Sequence, residues 1–269
     1  MKKRILTVIL LTLTAGILFS LAGCGKTAPS KEELSRLTAD AILSDNESSY
    51  ADGECCGEGH KILGYRLSGG RLKIYALTMF GYYGFQNDMF IKTSGSGVIP
   101  AVLTFEKDGD GYRLREIEYP RDGAGYVKSI KRMFPLPYRA QALHFSDKQQ
   151  EELSAQERLY AEAYLKSIGR EAEVGEFRDL NVILLTDCGV SVEVSNALSC
   201  DKRLGEYPFW IGTTEALENG VRFVRSLSLD EEAGQIVYKT VEKDSGAVTE
   251  IYIFDAVTGE ELAVPPSAD

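Results

Sequence analysis

The sequence contains a cysteine, Cys24, at a position where its thiol can be modified by lipid. It directly follows two small residues, Ala22 and Gly23, which let a signal peptidase reach the backbone. Upstream lie three basic residues at positions 2–4 and an apolar run over residues 5–21, the order found in export signals. We therefore predict cleavage between Gly23 and Cys24, with diacylglycerol and palmitate as the lipids on Cys24.

Two other interpretations of the first 23 residues compete with this one. The apolar run is near the lower limit of about 20 residues for a transmembrane helix, so an uncut anchor is one alternative. An ordinary signal peptide followed by an unrelated cysteine is the other. The small residues before Cys24, and their distance from the basic start, favour a lipid anchor on the extracytoplasmic face of the cell membrane.

A group of side chains that could bind a metal lies within residues 54–60. Its members are Glu54, Cys55, Cys56, Glu58 and His60. Thiolates and imidazole are good ligands for divalent ions such as zinc. No second pair of ligands follows at a standard spacing, and His144 is the only other histidine. A loop that leads into a strand explains the segment better, so we predict no metal and no cofactor.

The serine and cysteine patterns give no catalytic residues. Residues 93–97 lack the spacing of the Gly-x-Ser-x-Gly nucleophile turn and are predicted as a flexible hairpin loop. Ser199 and Lys202 match Ser-x-x-Lys, but no Lys-Thr-Gly follows them. In an exported chain Cys188 and Cys200 could form a disulfide. We favour free or partly buried thiols, because the core is large enough without cross-links.

Aromatic residues are concentrated where strands are predicted. Tyr82, Tyr83, Phe85 and Phe90 crowd one stretch, and alternate residues of a strand face opposite sides of a sheet. Rings left exposed on one side would form a surface for a ligand or a partner. Helices covering both sides would make them core instead. Residues 207–212, which include the only tryptophan, are predicted to form a rigid corner that fills a core.

The charge excludes one class of partner. The chain has 30 Lys and Arg against 40 Asp and Glu, and loss of residues 1–23 removes three basic residues, so the net charge changes from −10 to −13. Such an acidic surface repels nucleic acid. We predict the lipid bilayer as one partner, through acylated Cys24, and a membrane receptor or an envelope ligand as another.

The first half of the chain shows the patterns of an α+β unit. Ser30 and Glu33 match a capping box at the start of an amphipathic helix over residues 31–44, and a polar loop over 45–59 follows. Turn signals then separate segments rich in β-branched and aromatic residues, which indicates an antiparallel meander. These segments are 60–67, 71–83, 97–106 and 112–119.

The next residues predict helices and a second unit. Asp122 is a candidate cap for a helix that Pro135 and Pro137 end. A strongly helical segment comes next. It is followed by an apolar run at 180–185 and an alternating stretch at 189–194. Three strands are predicted further on, at 221–229, 235–242 and 249–254.

We thus predict an α+β fold of two antiparallel-sheet domains joined by a helix. The predicted organisation is a cleaved signal peptide 1–23, a tether 24–29, a first α+β domain 30–145, a linking helix 146–169, a β-rich domain 176–264 and a disordered tail 265–269.

Several short stretches of the first domain carry a family resemblance. They are Pro-Arg-Asp-Gly at 120–123, Tyr-Val-Lys-Ser-Ile-Lys at 126–131, Phe-Pro at 134–135, His-Lys-Ile-Leu-Gly at 60–64 and Tyr-Ala-Leu at 75–77. In these the chain resembles an extracytoplasmic region of Gram-positive bacteria, which accompanies antirepressor metallopeptidase receptors of the BlaR/MecR class and also occurs in stand-alone lipoproteins. Residues 207–222 are similar to the downstream part of such lipoproteins. The zinc-binding His-Glu-x-x-His motif of the receptors is absent, so the resemblance implies a location and a role in sensing or partner binding.

The leading functional prediction is a non-enzymatic lipoprotein that binds a ligand or a partner. The alternative is a cell-envelope hydrolase that uses acidic residues, which are plentiful. A deep polar cavity with two carboxylates favours the enzyme, whereas a shallow aromatic face favours binding.

Overall fold

The structure is a computed structural model that describes residues 28–51 and 53–263. The predicted cleavage site, Gly23 and Cys24, and the tail 265–269 lie outside the described residues. The helices are α1 (Lys31–Asn46), α2 (Tyr126–Met133), α3 (Leu136–Leu143), α4 (Asp147–Ser167) and α5 (Val192–Ser199). The strands are β1 (Cys55–Ser68), β2 (Arg71–Gln86), β3 (Met89–Gly95), β4 (Ile99–Asp108), β5 (Gly111–Glu118), β6 (Val174–Glu176), β7 (Gly212–Glu218), β8 (Val221–Asp230), β9 (Gln235–Glu242), β10 (Val248–Asp255) and β11 (Glu261–Leu262).

The fold is mixed α+β, and its strands form one large, mainly antiparallel sheet. β1 runs along one edge of β2, whereas β4 and then β3 pair with its other edge. β7 to β11 follow one another as an antiparallel meander. A single residue pair, Gln86 with Thr214, connects this meander to β2. Strands from both predicted domains therefore share one sheet.

Helix α1 covers one face of the first strands. Ser30 caps it, because its side chain accepts a hydrogen bond from the backbone N–H of Glu33 at 3.1 Å. Its buried residues recur at helical spacing and are Leu34, Leu37, Thr38, Ala41, Ile42 and Asn46. Several of them pack against Leu72 and Ile74 of β2. The predicted amphipathic helix is confirmed.

In the segment after β5, one prediction is wrong and another is confirmed. Asp122 makes no side-chain hydrogen bond to the 3₁₀ turn Gly123–Gly125 that follows it. Helix α2 ends at Met133, just before Pro135, as predicted, and the two prolines stand at the start of a further helix, α3, where a missing N–H costs little. Together α2 and α3 pack on the face of β2 that bears Tyr75, opposite α1.

Helix α4 lies on β1 and β2 along a track of glycines. The Ser146 and Gln149 side chains make both hydrogen bonds of a capping box at its start. Gly57 and Gly59 face the helix, and a Cβ on Gly59 would lie 2.2 Å from the carbonyl oxygen of Leu153. The helix predicted over 146–169 is thus present, and glycine permits its close approach to the sheet.

Other local predictions are wrong for identifiable reasons. The predicted loop 45–59 is too long at both ends, since α1 continues to Asn46 and β1 begins at Cys55 to complete its ladder with β2. The alternating residues 189–194 lead into α5 instead of forming a strand, because Ser191 accepts a hydrogen bond from the N–H of Val194 and caps a helix.

The aromatic corner at 207–212 fills the core as predicted, with one exception. Tyr207 and Trp210 are buried, and Trp210 packs with Leu180 and Ile91. Phe209, in contrast, is exposed.

Candidate functional site

The four aromatic residues predicted as a binding surface are buried. Tyr82, Tyr83, Phe85 and Phe90 are 6%, 4%, 1% and 0% exposed. Alternation sends them to opposite faces of the sheet, but a helix covers each face. Tyr82 packs beside residues of α1, and the other three pack beside α4. The exposed aromatic surface is therefore a wrong prediction, and these rings belong to the core.

Residues 55–60 belong to strand β1 instead of a loop. Cys55 packs on the α4 side of β1 and Cys56 on the α1 side, because consecutive side chains point to opposite faces. Burial, together with the nearby Cys56 and Glu54, raises the pKa of Cys55 to about 12, so this thiol is protonated at neutral pH. Across residues 28–51 and 53–263, no three His, Cys, Asp or Glu side chains converge as metal ligands.

The two remaining thiols are free, whereas the serine side chains of the two motifs bond to the backbone. Cys188 and Cys200 are exposed and free. Residues 93–95 complete β3 instead of forming a flexible loop, and Ser96 Oγ accepts a hydrogen bond from the Phe80 N–H at 3.1 Å. Ser199 donates to the carbonyl oxygen of Ser195 at 2.9 Å. Both serine side chains are therefore engaged with the backbone.

A cavity with a distinct chemical character lies beside the β1–β2 hairpin and the α2–α3 turn; we refer to it as the basic cavity. Its volume is ≈ 580 Å³. Five of its ten lining residues are cationic: Arg66, Arg71, Lys73, Arg132 and Arg139. In a chain with a net charge of −10, these residues concentrate positive charge at one place.

The register of the sheet explains why these cations converge. Arg66 lies opposite Lys73, and Ser68 lies opposite Arg71, so all four side chains project from one face of the β1–β2 ladder. Helices α2 and α3 supply the other two cations from the side. The cavity therefore depends on the packing of two helices against one hairpin.

The basic cavity keeps an excess of positive charge. Arg71 Nε lies 3.6 Å from Glu106, and Arg132 lies 2.5 Å from Glu118, but both arginine side chains are largely exposed, so these pairs contribute little. Within the described residues, Arg66 and Lys73 form no ion pair. Carboxylate and phosphate groups are the ligands that such cations bind best.

A second cavity, of ≈ 390 Å³, brings together two carboxylates, Glu54 and Glu215. Arg222 bridges them, because it donates to Glu54 Oε2 at 2.9 Å and to Glu215 Oε2 at 3.0 Å. Burial would raise the pKa of Glu215, but hydrogen bonds from Arg170 and Lys243 outweigh it and lower that pKa. Held ionised, Glu215 is unsuited to the role of proton donor in glycoside hydrolysis.

A chain of hydrogen-bonded side chains connects α1, β1 and α4. Ser35 Oγ lies 2.8 Å from Nε2 of His60, and Nδ1 of His60 lies 2.8 Å from Oε2 of Glu58. Tyr160 donates to the other oxygen of Glu58 at 3.0 Å. In the neutral imidazole, a proton on Nδ1 that is donated to the Glu58 carboxylate leaves Nε2 to accept from Ser35.

No helix in the described part of the chain combines the length and the apolar character needed to cross a membrane. Comparison with protein-family models, curated proteins and solved structures finds no match for this chain.

Proposed function

We propose that this chain is a lipoprotein, anchored through acylated Cys24 to the extracytoplasmic face of the cell membrane, that binds an anionic ligand without catalysing a reaction. The observation that carries the ligand class is the basic cavity. The export signal and the position of Cys24 support the anchor. The resemblance to the region that accompanies BlaR/MecR-class receptors supports a sensing role, with a membrane receptor as the partner that reads the bound state.

The composition of the basic cavity favours a ligand with more than one anionic group. Guanidinium groups make paired hydrogen bonds with carboxylates and phosphates, and several of them line the cavity. Met133, Phe134 and Pro135 add an apolar wall. A compact organic body that carries two or more carboxylate or phosphate groups would contact both kinds of surface.

Isothermal titration calorimetry of the full-length protein in detergent, with tripolyphosphate and with citrate, tests the ligand class. We expect binding that weakens as salt rises, since exposed charges are screened beyond about 10 Å at 0.1 M salt. Arg66→Ser combined with Lys73→Ser should abolish binding. Arg178→Ser combined with Lys202→Ser, at exposed positions outside the cavity, should leave it unchanged. Absence of binding to the wild type, or equal loss in both variants, would overturn the proposal.

Metabolic labelling tests the anchor independently of the ligand. Wild-type protein expressed in a Gram-positive host should incorporate radiolabelled palmitate and sediment with membranes. The Cys24→Ala variant should lose the label, whereas Cys188→Ala should keep it. Unchanged membrane partitioning of Cys24→Ala would contradict the proposed anchor.

We also propose that residues 30–145 and 176–264 behave as two units around α4. Their buried clusters support this, because one cluster draws all its members from residues 185–254 and another draws its members from residues 34–105. Scanning calorimetry should resolve two unfolding transitions. A single transition with equal calorimetric and van't Hoff enthalpies would indicate one cooperative unit.

The alternative function, a cell-envelope hydrolase that uses acidic residues, is favoured by one observation: Glu54 and Glu215 line the same cavity. Their ion pairs with Arg222 weigh against it, because each carboxylate is already engaged by a cation and the pKa of Glu215 is lowered. Release of reducing ends from purified peptidoglycan by the wild type, and its loss in Glu215→Gln, would replace the binding proposal with this one.

A further inference from the structure

The hydroxyl of Ser35 is hydrogen-bonded to a base, and this arrangement suits a chemical reaction rather than ligand binding alone. Its Oγ lies 2.8 Å from Nε2 of His60, which Glu58 orients through Nδ1 at 2.8 Å. A nucleophile within hydrogen-bond reach of a base, with the base held by a third group, is the arrangement that activates a serine. We propose that Ser35 is a nucleophile that accepts an acyl or phosphonyl group from an activated compound.

The support for the base is unusually complete. The side chains of His60 and Glu58 are 10% and 4% exposed, so the imidazole and the carboxylate interact in a site of low polarity. Tyr160 fixes the second oxygen of Glu58, and the backbone N–H of His60 donates to Gln156 Oε1 at 3.0 Å. Two residues of α4 therefore hold the pair in place.

Ser35 also departs from the usual behaviour of a helical hydroxyl. Thr38, one turn further along α1, donates to the carbonyl oxygen of Leu34 at 2.8 Å, and Ser199 of α5 makes the same kind of bond to Ser195. Ser35 instead pairs with a side chain 25 positions away. Because Ser35 is only half-buried, part of its surface is accessible to a reagent.

The chemical step balances without an additional reactant. The Ser35 oxygen forms a bond to the carbonyl carbon of an activated ester while its proton passes to Nε2 of His60. The bond from that carbon to the leaving group breaks, and the leaving group takes the proton from His60. The products are an ester on Ser35, a free alcohol and the regenerated imidazole.

Reaction of full-length protein with a fluorophosphonate probe, followed by peptide mass mapping, tests the inference. We expect one adduct per chain, on Ser35, absent from Ser35→Ala and unchanged in Ser44→Ala, which alters an exposed serine of the same helix. His60→Gln should slow labelling by about 100-fold or more, the usual contribution of a general base. Circular dichroism would show whether each variant keeps the fold.

Two results would overturn the inference, and neither depends on Ser35→Ala being folded. One is failure of the folded wild type to form an adduct at Ser35. The other is labelling of Ser35 at the same rate in folded His60→Gln. Because the probe reacts outside the basic cavity, these outcomes are independent of the anion-binding experiment.

Discussion

Arg222 of β8 donates to Glu54, the residue before β1, across 168 positions of the chain. The Nη2–Oε2 distance is 2.9 Å, and the two side chains are 14% and 5% exposed. Tyr164 of α4 donates to the same carboxylate at 3.0 Å. The guanidinium also lies 5.3 Å from the ring centroid of Phe85, so a cation–π contact adds to the pair. This contact joins the meander to the first strands at a place where the sheet itself supplies only one residue pair.

The first prediction concerns the removal of this cation. Arg222→Met should lower the free energy of unfolding by about 3 kcal/mol, because a buried carboxylate that loses its partner is strongly destabilising. Urea denaturation measures the change. Arg178→Met is the matched control, since its arginine is 78% exposed and pairs with Glu176 at the surface, and it should change stability by less than about 1 kcal/mol.

The pairing itself can be separated from simple loss of packing. Glu54→Gln combined with Arg222→Met removes both charges and should be less destabilised than Arg222→Met alone, because no unpaired charge stays buried. Equal stability of the single and double variants would show that the ion pair has no part in the loss.

The second prediction concerns the close approach of α4 to β1. Gly59→Ala places a Cβ 2.2 Å from the Leu153 carbonyl oxygen, so the helix must shift, and we expect a loss of about 2 kcal/mol. Gly97→Ala is the control, because no atom lies within 4 Å of its added Cβ. Thermal unfolding of both variants measures the difference. A Gly59→Ala protein as stable as the control would mean that α4 does not sit tightly on the strand.

The parts of the fold that could be predicted are those with strong local signals. Ser30, followed by apolar residues at helical spacing, specifies α1, and Ser146 with Gln149 specifies the start of α4. The strands 221–229, 235–242 and 249–254 appear as β8, β9 and β10 with shifts of at most one residue at either end. β7 was missed, because Thr213–Glu218 shows no clear alternation of apolar residues.

The candidate sites depend on contacts that a single sequence does not display. Alternation places Glu58 and His60 on one face of β1, so that pair was within reach of prediction. The contact of Ser35 with His60 could not be predicted, because it depends on how α1 crosses the strand. The basic cavity combines a hairpin with two later helices, and the two prolines at the start of α3 gave no indication that a second helix begins there.

A third prediction follows from the lowered pKa of Glu215. Burial opposes ionisation, but Arg170 and Lys243 hold the pKa below its ordinary value of 4.5. A carboxyl with a lowered pKa in the folded state contributes stability above its unfolded pKa and loses it as the pH falls through the folded value. The stability difference between wild type and Glu215→Gln should therefore be constant near neutral pH and shrink below about pH 4.5. Urea denaturation from pH 7 to pH 3 measures it, and a difference that grows in acid would contradict the assignment.

The last prediction separates the four described thiols by reactivity. Burial and the neighbouring Cys56 and Glu54 raise the pKa of Cys55 to about 12, and burial also raises the pKa of Cys56. Cys188 and Cys200 are exposed. Since the thiolate is the reactive form, iodoacetamide at pH 8 should modify the exposed pair first and Cys55 on the order of a thousandfold more slowly.

Peptide mapping at successive times would follow each thiol, and the same reaction in 8 M urea serves as the control, because unfolding should make all four react alike. Rapid modification of Cys55 in the folded protein would mean that the first residues of β1 separate readily from the neighbouring strand and helix. It would also weaken the case for Ser35, because Glu58 and His60 are held in place by the same strand and its contact with α4.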